Sequence, residues 1–217
     1  MPLMSFSLLV LILINAYFTY KGLNDYYFFD KYKFNAGAVR QGEYYRLITG
    51  SFLHAGWGHF IVNMLTLYFF YPIIESFAGT GGALLIYFGG MLLGNLTAYY
   101  FHKNHDWYSA VGASGAVNAV VFASILFYPE GSIIIFPVPI PIPSYIYAVG
   151  YLLYTTFGMK NQTGNIGHEA HFGGAAAGIL LAILLQPRLI SQRMTLIIVM
   201  LAIIGGAFFY LKKNKGV

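Results

Sequence analysis

The sequence predicts an all-α fold, a polytopic bundle of helices that cross a membrane. Of the 217 residues, 58% are hydrophobic and only 9% are charged, whereas about a quarter of the residues in an ordinary soluble domain carry a charge. The charges are also segregated, because Glu75 is the only charged residue between Arg46 and Lys103. A helix needs about 20 mostly apolar residues to cross a bilayer, so the apolar runs between the charges hold several spans.

These runs predict seven spans, with boundaries loose by several residues. The spans are residues 4–20, 58–74, 83–101, 112–128, 143–157, 169–186 and 194–211. Helices are favoured over a membrane β-barrel because the runs are apolar throughout rather than alternating with a period of two. The first span lacks a basic segment before it and a small-residue cleavage site after it, so we expect a retained helix rather than a signal peptide.

Two connecting segments are distinctive. Residues 21–57 are aromatic and mixed in charge without a clean apolar run, which favours a structured loop at the membrane interface. Residues 137–143 carry a proline at every second position. Proline breaks a helix interior, so this stretch predicts an extended connector into the fifth span.

Five strongly polar side chains fall inside or at the start of predicted spans: His59, Asn63, Ser114, Asn118 and His171. Such residues are costly in a membrane and are functional candidates by default. The second, fourth and sixth spans cross in the same direction. His59, Ser114 and His171 each lie near the start of one of these spans, so we expect them at one depth on one side of the membrane.

Stripes of small residues predict that the fourth and sixth spans pack closely. The stripes are Gly115, Ala119 and Ala123 after Ser114, and Gly174, Gly178 and Ala182 after His171. Small residues at helical spacing allow two backbones to approach in a membrane. Packing through these stripes would bring Ser114 and His171 together at the top of the seam.

The chemistry that fits this pair is nucleophilic catalysis. A serine hydroxyl becomes a strong nucleophile when a neighbouring imidazole takes its proton, so we expect Ser114 as nucleophile and His171 as general base. The backbone amide of Ser114 and the side chains of His59 and Asn63 are the expected oxyanion donors. No Asp lies within the spans, which predicts a dyad rather than a triad.

Other polar residues favour structural roles. The run from His168 to His171 lacks the spacing of a helical zinc motif, so no metal or other cofactor is expected. We expect His168 in a hydrated loop, His54 as a loop anchor, and Glu75 as a hydrogen-bonding staple between helix ends on the opposite side from Ser114. The chain has no Cys, which excludes disulfides and a cysteine nucleophile.

Together these motifs resemble the rhomboid family of intramembrane serine proteases. Gly112-Ala-Ser114-Gly115 resembles the family's Gly-x-Ser-Gly box, and Ala170-His171-Phe-Gly-Gly174-Ala-Ala-Ala-Gly178 resembles its Ala-His-x-x-Gly-x-x-x-Gly helix. His59-Phe-Ile-Val-Asn63 resembles its His-x-x-x-Asn pattern, and Glu43-Tyr-Tyr-Arg46 is similar to the end of its first loop. The match runs from about Glu43 to Gly178.

The resemblance implies a six-helix rhomboid core, residues 1–190, followed by one additional C-terminal transmembrane helix and a basic tail, residues 191–217. It implies a Ser114–His171 dyad assisted by His59 and Asn63, in a water-filled cavity that admits a substrate's transmembrane helix. Proteins of this family commonly carry an aromatic residue four positions after the serine, packed on the base. Asn118 stands there in this chain, and we expect it to form a hydrogen bond near His171 instead.

The expected partners are transmembrane protein substrates and the lipid bilayer, and no nucleic acid. Ten of the 12 Lys and Arg residues lie on the Ser114 side of the predicted topology, and the positive-inside rule would place that side in the cytoplasm. The resemblance implies the opposite, and five of those ten charges lie in the interfacial first loop. We therefore expect a multi-pass protein of a prokaryotic plasma membrane with its active site facing the extracytoplasmic side.

Two other functions are compatible with a membrane bundle of this kind. One is a catalytically inactive rhomboid-like protein that binds transmembrane helices, although the retained Ser114 and His171 argue against it. The other is a transporter or proton pathway that uses the His and Asn cluster. A pathway would need polar residues through the full membrane depth, whereas these residues cluster near one side.

Overall fold

A computed structural model describes residues 4–135, 138–161 and 167–215, and its fold is an all-α bundle. The helices are α1 (Phe6–Asn24), α2 (Tyr26–Tyr32), α3 (Ala36–Arg40), α4 (Arg46–Thr49), α5 (Trp57–His102), α6 (Ser114–Phe127), α7 (Ser144–Asn161), α8 (His168–Leu185), α9 (Leu189–Gln192) and α10 (Met194–Lys215). Two short antiparallel pairs join β1 (Phe34–Asn35) to β2 (Ser109–Ala110) and β3 (Ser132–Ile135) to β4 (Val138–Pro143).

The helix α5 contains two of the predicted spans. Its 46 residues correspond to about 69 Å of helix, about twice the hydrocarbon thickness of a bilayer. The helix breaks at Gly79, whose φ of 68° and ψ of 174° are not helical. His59 near one end lies against Gly112, which precedes α6, and His102 at the other end contacts Glu169 at the start of α8. Both ends of α5 therefore lie on the same side, and the chain reverses at Gly79.

The other helices follow the order of the predicted spans in a multi-pass membrane bundle, although α7, at the predicted fifth span, is less apolar than the helices that could cross a membrane. Among the described residues, α1, α5, α8 and α10 are long and apolar enough to cross a membrane, and α6 is apolar but has 14 residues. Every residue of α6 after Ser114 is buried, because α6 runs between α5 and α8. The most central helix thus begins at the candidate nucleophile.

The first loop is structured, as its composition predicts. It contains α2, α3 and α4, and β1 pairs with β2 so that the loop lies beside the segment that leads into α6. The Arg46 side chain is buried and donates to Glu43 Oε2 at 2.7 Å and to the carbonyl oxygens of Asp30 and Lys33 at 2.7 and 3.0 Å. The Arg46 side chain therefore connects the end of α2 to the turn before α4.

The proline-rich connector is extended over Val138–Pro143, as predicted, whereas Pro137 lies outside the described residues. Its pairing with β3 into a hairpin is a feature that the sequence did not predict. Alternate prolines are compatible with an edge strand because only every second residue must donate to the partner.

On the side opposite Ser114, Glu75 connects helix ends as expected. The hydroxyl groups of Ser7 in α1 and Thr80 in α5 donate to Glu75 Oε1 at 2.8 and 3.1 Å. The prediction that Glu75 acts as a structural staple is confirmed.

Candidate active site

Ser114 is the first residue of α6 and follows a tight turn. Gly112 in this turn has a φ of 127°, a conformation that a residue with a Cβ rarely adopts. The turn is tied to the first loop, because the Gly112 amide donates to the Gly50 carbonyl oxygen at 3.0 Å and the Ala113 amide donates to His54 Nε2 at 3.4 Å. The Ser114 amide belongs to the first helical turn, whose N–H groups have no intrahelical acceptor and carry partial positive charge.

His54 anchors this turn from the first loop, which confirms the loop-anchoring role predicted for it. Its side chain is fully buried, and its Nδ1 lies 2.9 Å from the Thr19 hydroxyl in α1. Burial lowers the pKa of His54 to about 3. The ring therefore stays neutral at physiological pH, and its Nε2 remains an acceptor for the Ala113 amide.

Glycines bring α5, α6 and α8 into contact just below Ser114. A Cβ placed on Gly174 of α8 would overlap the Gly115 carbonyl oxygen of α6, and one placed on Gly178 would overlap that of Ala119. The predicted packing through the two small-residue stripes is confirmed. A third helix joins at Gly94 of α5, where a Cβ would lie 2.7 Å from the Ala170 carbonyl oxygen.

This packing places the predicted nucleophile and base beside each other. Ser114 Oγ and His171 Nε2 lie 2.7 Å apart, within hydrogen-bonding reach. Both side chains are partly exposed and line a cavity of about 1020 Å³. The arrangement can transfer a proton from the hydroxyl to the imidazole inside a bundle of membrane helices.

The two predicted oxyanion residues line the same cavity. The His59 ring lies against Gly112, since a Cβ there would be 2.9 Å from His59 Nε2. The Asn63 Nδ2 atom donates to the His59 carbonyl oxygen at 2.9 Å, which leaves its second N–H for another acceptor. Both side chains therefore lie on the Ser114 side of the bundle.

Asn118 forms its hydrogen bond near His171, as expected, and reaches the base itself only indirectly. Its Nδ2 donates to the Ser114 carbonyl oxygen at 2.8 Å, and its side chain interacts with the Tyr151 hydroxyl. Tyr151 of α7 in turn lies 3.0 Å from His171 Nδ1. The sequence did not single out Tyr151, because α7 carries four tyrosines and only tertiary packing distinguishes this one.

The start of α8 differs from the prediction for His168. This residue is buried at 1% exposure rather than hydrated, because its ring packs on Gly158 of α7. Its neighbour Glu169 is also buried and lies 3.2 Å from His102 Nε2. The His102 ring stacks on Tyr108 with centroids 3.6 Å apart. The sequence shows no sign of this pair beyond a polar residue at the end of one helix and the start of another.

Comparisons of the sequence with known proteins identify one family. The family model described as Rhomboid domain matches residues 41–188. The putative rhomboid protease YdcA of Bacillus subtilis is 32% identical over 151 residues, which cover 70% of this chain and 71% of that protein. RHOMBOID-like protein 12, mitochondrial, of Arabidopsis thaliana is 26% identical over 191 residues, which cover 78% of this chain.

The relatives differ in length and in compartment. The match spans 55% of the Arabidopsis protein. The rhomboid protease GluP of Bacillus subtilis is 26% identical over 179 residues, which cover 79% of this chain and 32% of that protein. The family model matches residues 41–188, which are more than half of the chain and include Ser114 and His171. The chain therefore belongs to the rhomboid family.

Proposed function

We propose that this chain is an intramembrane serine endopeptidase that cleaves membrane proteins in or near their transmembrane segments. The observation that carries the proposal is the 2.7 Å contact between Ser114 Oγ and His171 Nε2 at a cavity within a membrane bundle. Membership of a family in which relatives are named as proteases supports the same reaction class.

In the proposed mechanism, His171 Nε2 takes the proton of Ser114 as the hydroxyl oxygen attacks the scissile carbonyl carbon. The Ser114 amide and the side chains of His59 and Asn63 stabilise the resulting oxyanion. His171 then donates its proton to the leaving amine, and an acyl group remains on Ser114 Oγ. A water molecule then attacks the acyl carbon as it transfers a proton to His171, and His171 returns that proton to Ser114 Oγ as the acyl group leaves, which restores the dyad.

A cleavage assay with matched variants tests the proposal. The purified protein is reconstituted in liposomes with a single-span substrate, and wild type is compared with Ser114→Ala and His171→Ala. We expect cleavage by wild type and none by either variant. Ser124→Ala in the same helix, where the hydroxyl donates to the Val121 carbonyl oxygen, and the exposed His105→Ala are the controls.

Two outcomes would contradict the proposal. Wild-type-like cleavage by Ser114→Ala would exclude this serine as the nucleophile. A wild type that binds several transmembrane substrates but cleaves none would favour the inactive helix-binding function instead.

The oxyanion donors are tested by separate variants. Loss of one such donor typically lowers kcat about 100- to 1,000-fold, and we expect this loss for His59→Ala and for Asn63→Ala.

We also propose that the active site faces the extracytoplasmic side of a prokaryotic plasma membrane. Support comes from the Bacillus relatives, although the Arabidopsis relative is named as mitochondrial. Since the chain has no Cys, single cysteines at the exposed Tyr44 in the first loop and Ser191 in α9 report the two sides. A membrane-impermeant maleimide should label intact cells at Tyr44→Cys only. Labelling at Ser191→Cys only would show that the protein has the opposite orientation.

The proposed domain division assigns residues 1–190 to the protease core and 191–217 to an added helix and tail. Support comes from the family match, which ends at residue 188. The helix α10 packs mainly against α7, and Lys160 of α7 lies over the Tyr210 ring at 5.5 Å. A chain truncated after residue 190 should keep measurable cleavage, and complete loss of a folded product would show that α10 is part of the core.

A further inference from the structure

A hydroxyl group from α7 lies at the second ring nitrogen of His171. Tyr151 Oη and His171 Nδ1 are 3.0 Å apart, and the two rings are inclined by 22° with centroids 6.4 Å apart. Ser114 Oγ contacts the other nitrogen, Nε2. The imidazole is thus held at both nitrogens, by α6 on one side and by α7 on the other.

We propose that Tyr151 is the positioning residue of the general base, which fixes the tautomer and the ring orientation of His171. This inference rests on the proposed function of Ser114 and His171. To accept the serine proton, Nε2 must be unprotonated, so a neutral ring carries its proton on Nδ1. That N–H needs an acceptor in a site of low dielectric constant, and Tyr151 Oη lies at the required distance.

The role is comparable to that of the carboxylate in a Ser-His-Asp triad, which holds the imidazole in the productive tautomer. A neutral phenol provides the acceptor without placing a second charge in the membrane, where an ionised side chain would be costly. It also accepts from the imidazolium that forms when His171 takes the serine proton, because both ring nitrogens then donate.

Contacts around Tyr151 hold its hydroxyl group in place. The ring stacks on Tyr147, with centroids 5.5 Å apart, and lies 5.9 Å from Phe122 of α6. The Asn118 side chain interacts with the Tyr151 hydroxyl and donates to the Ser114 carbonyl oxygen at 2.8 Å. Asn118 and Tyr151 therefore both lie beside the Ser114–His171 pair.

The location of Tyr151 couples the base to α7. This helix packs mainly against α8 and α10 and touches α6 less. A displacement of α7 away from α6 and α8 would remove the Nδ1 acceptor, whereas Ser114 and His171 belong to the tightly packed α6–α8 seam. The orientation of the base thus depends on a helix outside that seam.

Kinetics of Tyr151→Phe test the inference, because this variant removes only the hydroxyl group. Loss of one neutral hydrogen bond predicts that kcat falls about 3- to 10-fold, with KM unchanged. Tyr145→Phe, at an exposed position of the same helix, should match wild type in both parameters. If wild type cleaves, Ser114→Ala does not, and Tyr151→Phe has the wild-type kcat, the inference about Tyr151 fails while the proposed function stands.

A second measurement does not require activity. In ¹⁵N-histidine-labelled protein, with the His171 signals assigned by comparison with His171→Ala, we expect only the Nδ1–H tautomer in wild type and a mixture in Tyr151→Phe. A wild-type ring protonated at Nε2, or an unchanged tautomer in a folded Tyr151→Phe, would overturn the inference. If wild type is inactive on every substrate, the proposed function fails, and this spectrum still decides the role of Tyr151.

Discussion

A single methyl group at Gly174 should separate the two helices that carry the proposed dyad. In Gly174→Ala, the new Cβ would overlap the Gly115 carbonyl oxygen and lie 2.9 Å from its carbonyl carbon and 3.1 Å from its Cα. Carbon atoms in favourable contact are about 3.5–4.0 Å apart. Because the obstruction is backbone, a change of side-chain rotamer cannot relieve it, and α6 and α8 must move apart by about 0.5–1 Å.

The displacement has two calculable effects. Ser114 Oγ and His171 Nε2, now 2.7 Å apart, would move to about 3.2–3.7 Å, at or beyond the limit for efficient proton transfer. A misplacement of about 1 Å at a reacting group can cost about 100-fold in rate, so we expect a loss of about 10- to 100-fold in kcat. Overpacking of this kind also costs about 1–3 kcal/mol of stability.

The assay compares Gly174→Ala with a matched glycine variant in liposomes. Gly150 of α7 has open space where its Cβ would lie, so Gly150→Ala should keep wild-type cleavage and gain up to about 1 kcal/mol of helix stability. Cleavage and thermal unfolding in detergent are measured on both. Wild-type kcat and unfolding temperature in Gly174→Ala would refute the account of the seam as a rigid backbone contact.

Two further predictions concern the first loop. The pKa of folded His54 is about 3 and that of an unfolded histidine is about 6.5, so the unfolded state binds more protons between these values. The free energy of unfolding should therefore fall by up to about 1.4 kcal/mol per pH unit as the pH drops below about 6.5. Unfolding of His54→Asn in detergent between pH 7.5 and 5 should show a smaller slope of this free energy against pH, and an identical slope would contradict the assignment. Arg46→Ala removes buried hydrogen bonds to Glu43 and to two carbonyl groups and should lower the free energy of unfolding by about 2–4 kcal/mol. As a control, Arg40→Ala removes the exposed Arg40–Asp106 pair and should lower it by less than about 1 kcal/mol. Equal losses in the two variants would show that burial of Arg46 adds nothing to stability.

The sequence predicts the spans and the meeting of Ser114 with His171 because both follow from local rules. Segregated charges mark where helices cross lipid, parity fixes which ends share a side, and glycines at helical spacing mark the seam. The only tertiary assumption is that two small-residue stripes pack on each other. The contact of Gly174 with Gly115 confirms that assumption.

The remaining site features depend on contacts between distant segments. The sequence predicts His168 in a hydrated loop, but Gly158 of α7 leaves a space that the His168 ring fills. His102 is the last residue of α5 and Glu169 lies at the start of α8. Their pairing follows only from the packing of α5 on α8. Tyr151 resembles its neighbouring tyrosines in sequence, and its role depends on the distance of its hydroxyl group from His171. Periodicity contains no information about such distances.

Active-site labelling tests the central proposal most directly, because it needs no knowledge of the substrate. A fluorophosphonate reacts with a serine only when a neighbouring base activates it, and mass mapping identifies the modified residue. The account predicts an adduct on Ser114 in wild type, none in His171→Ala, and normal labelling in the His105→Ala control. An adduct on another serine, or equal labelling of Ser114 without His171, would contradict it.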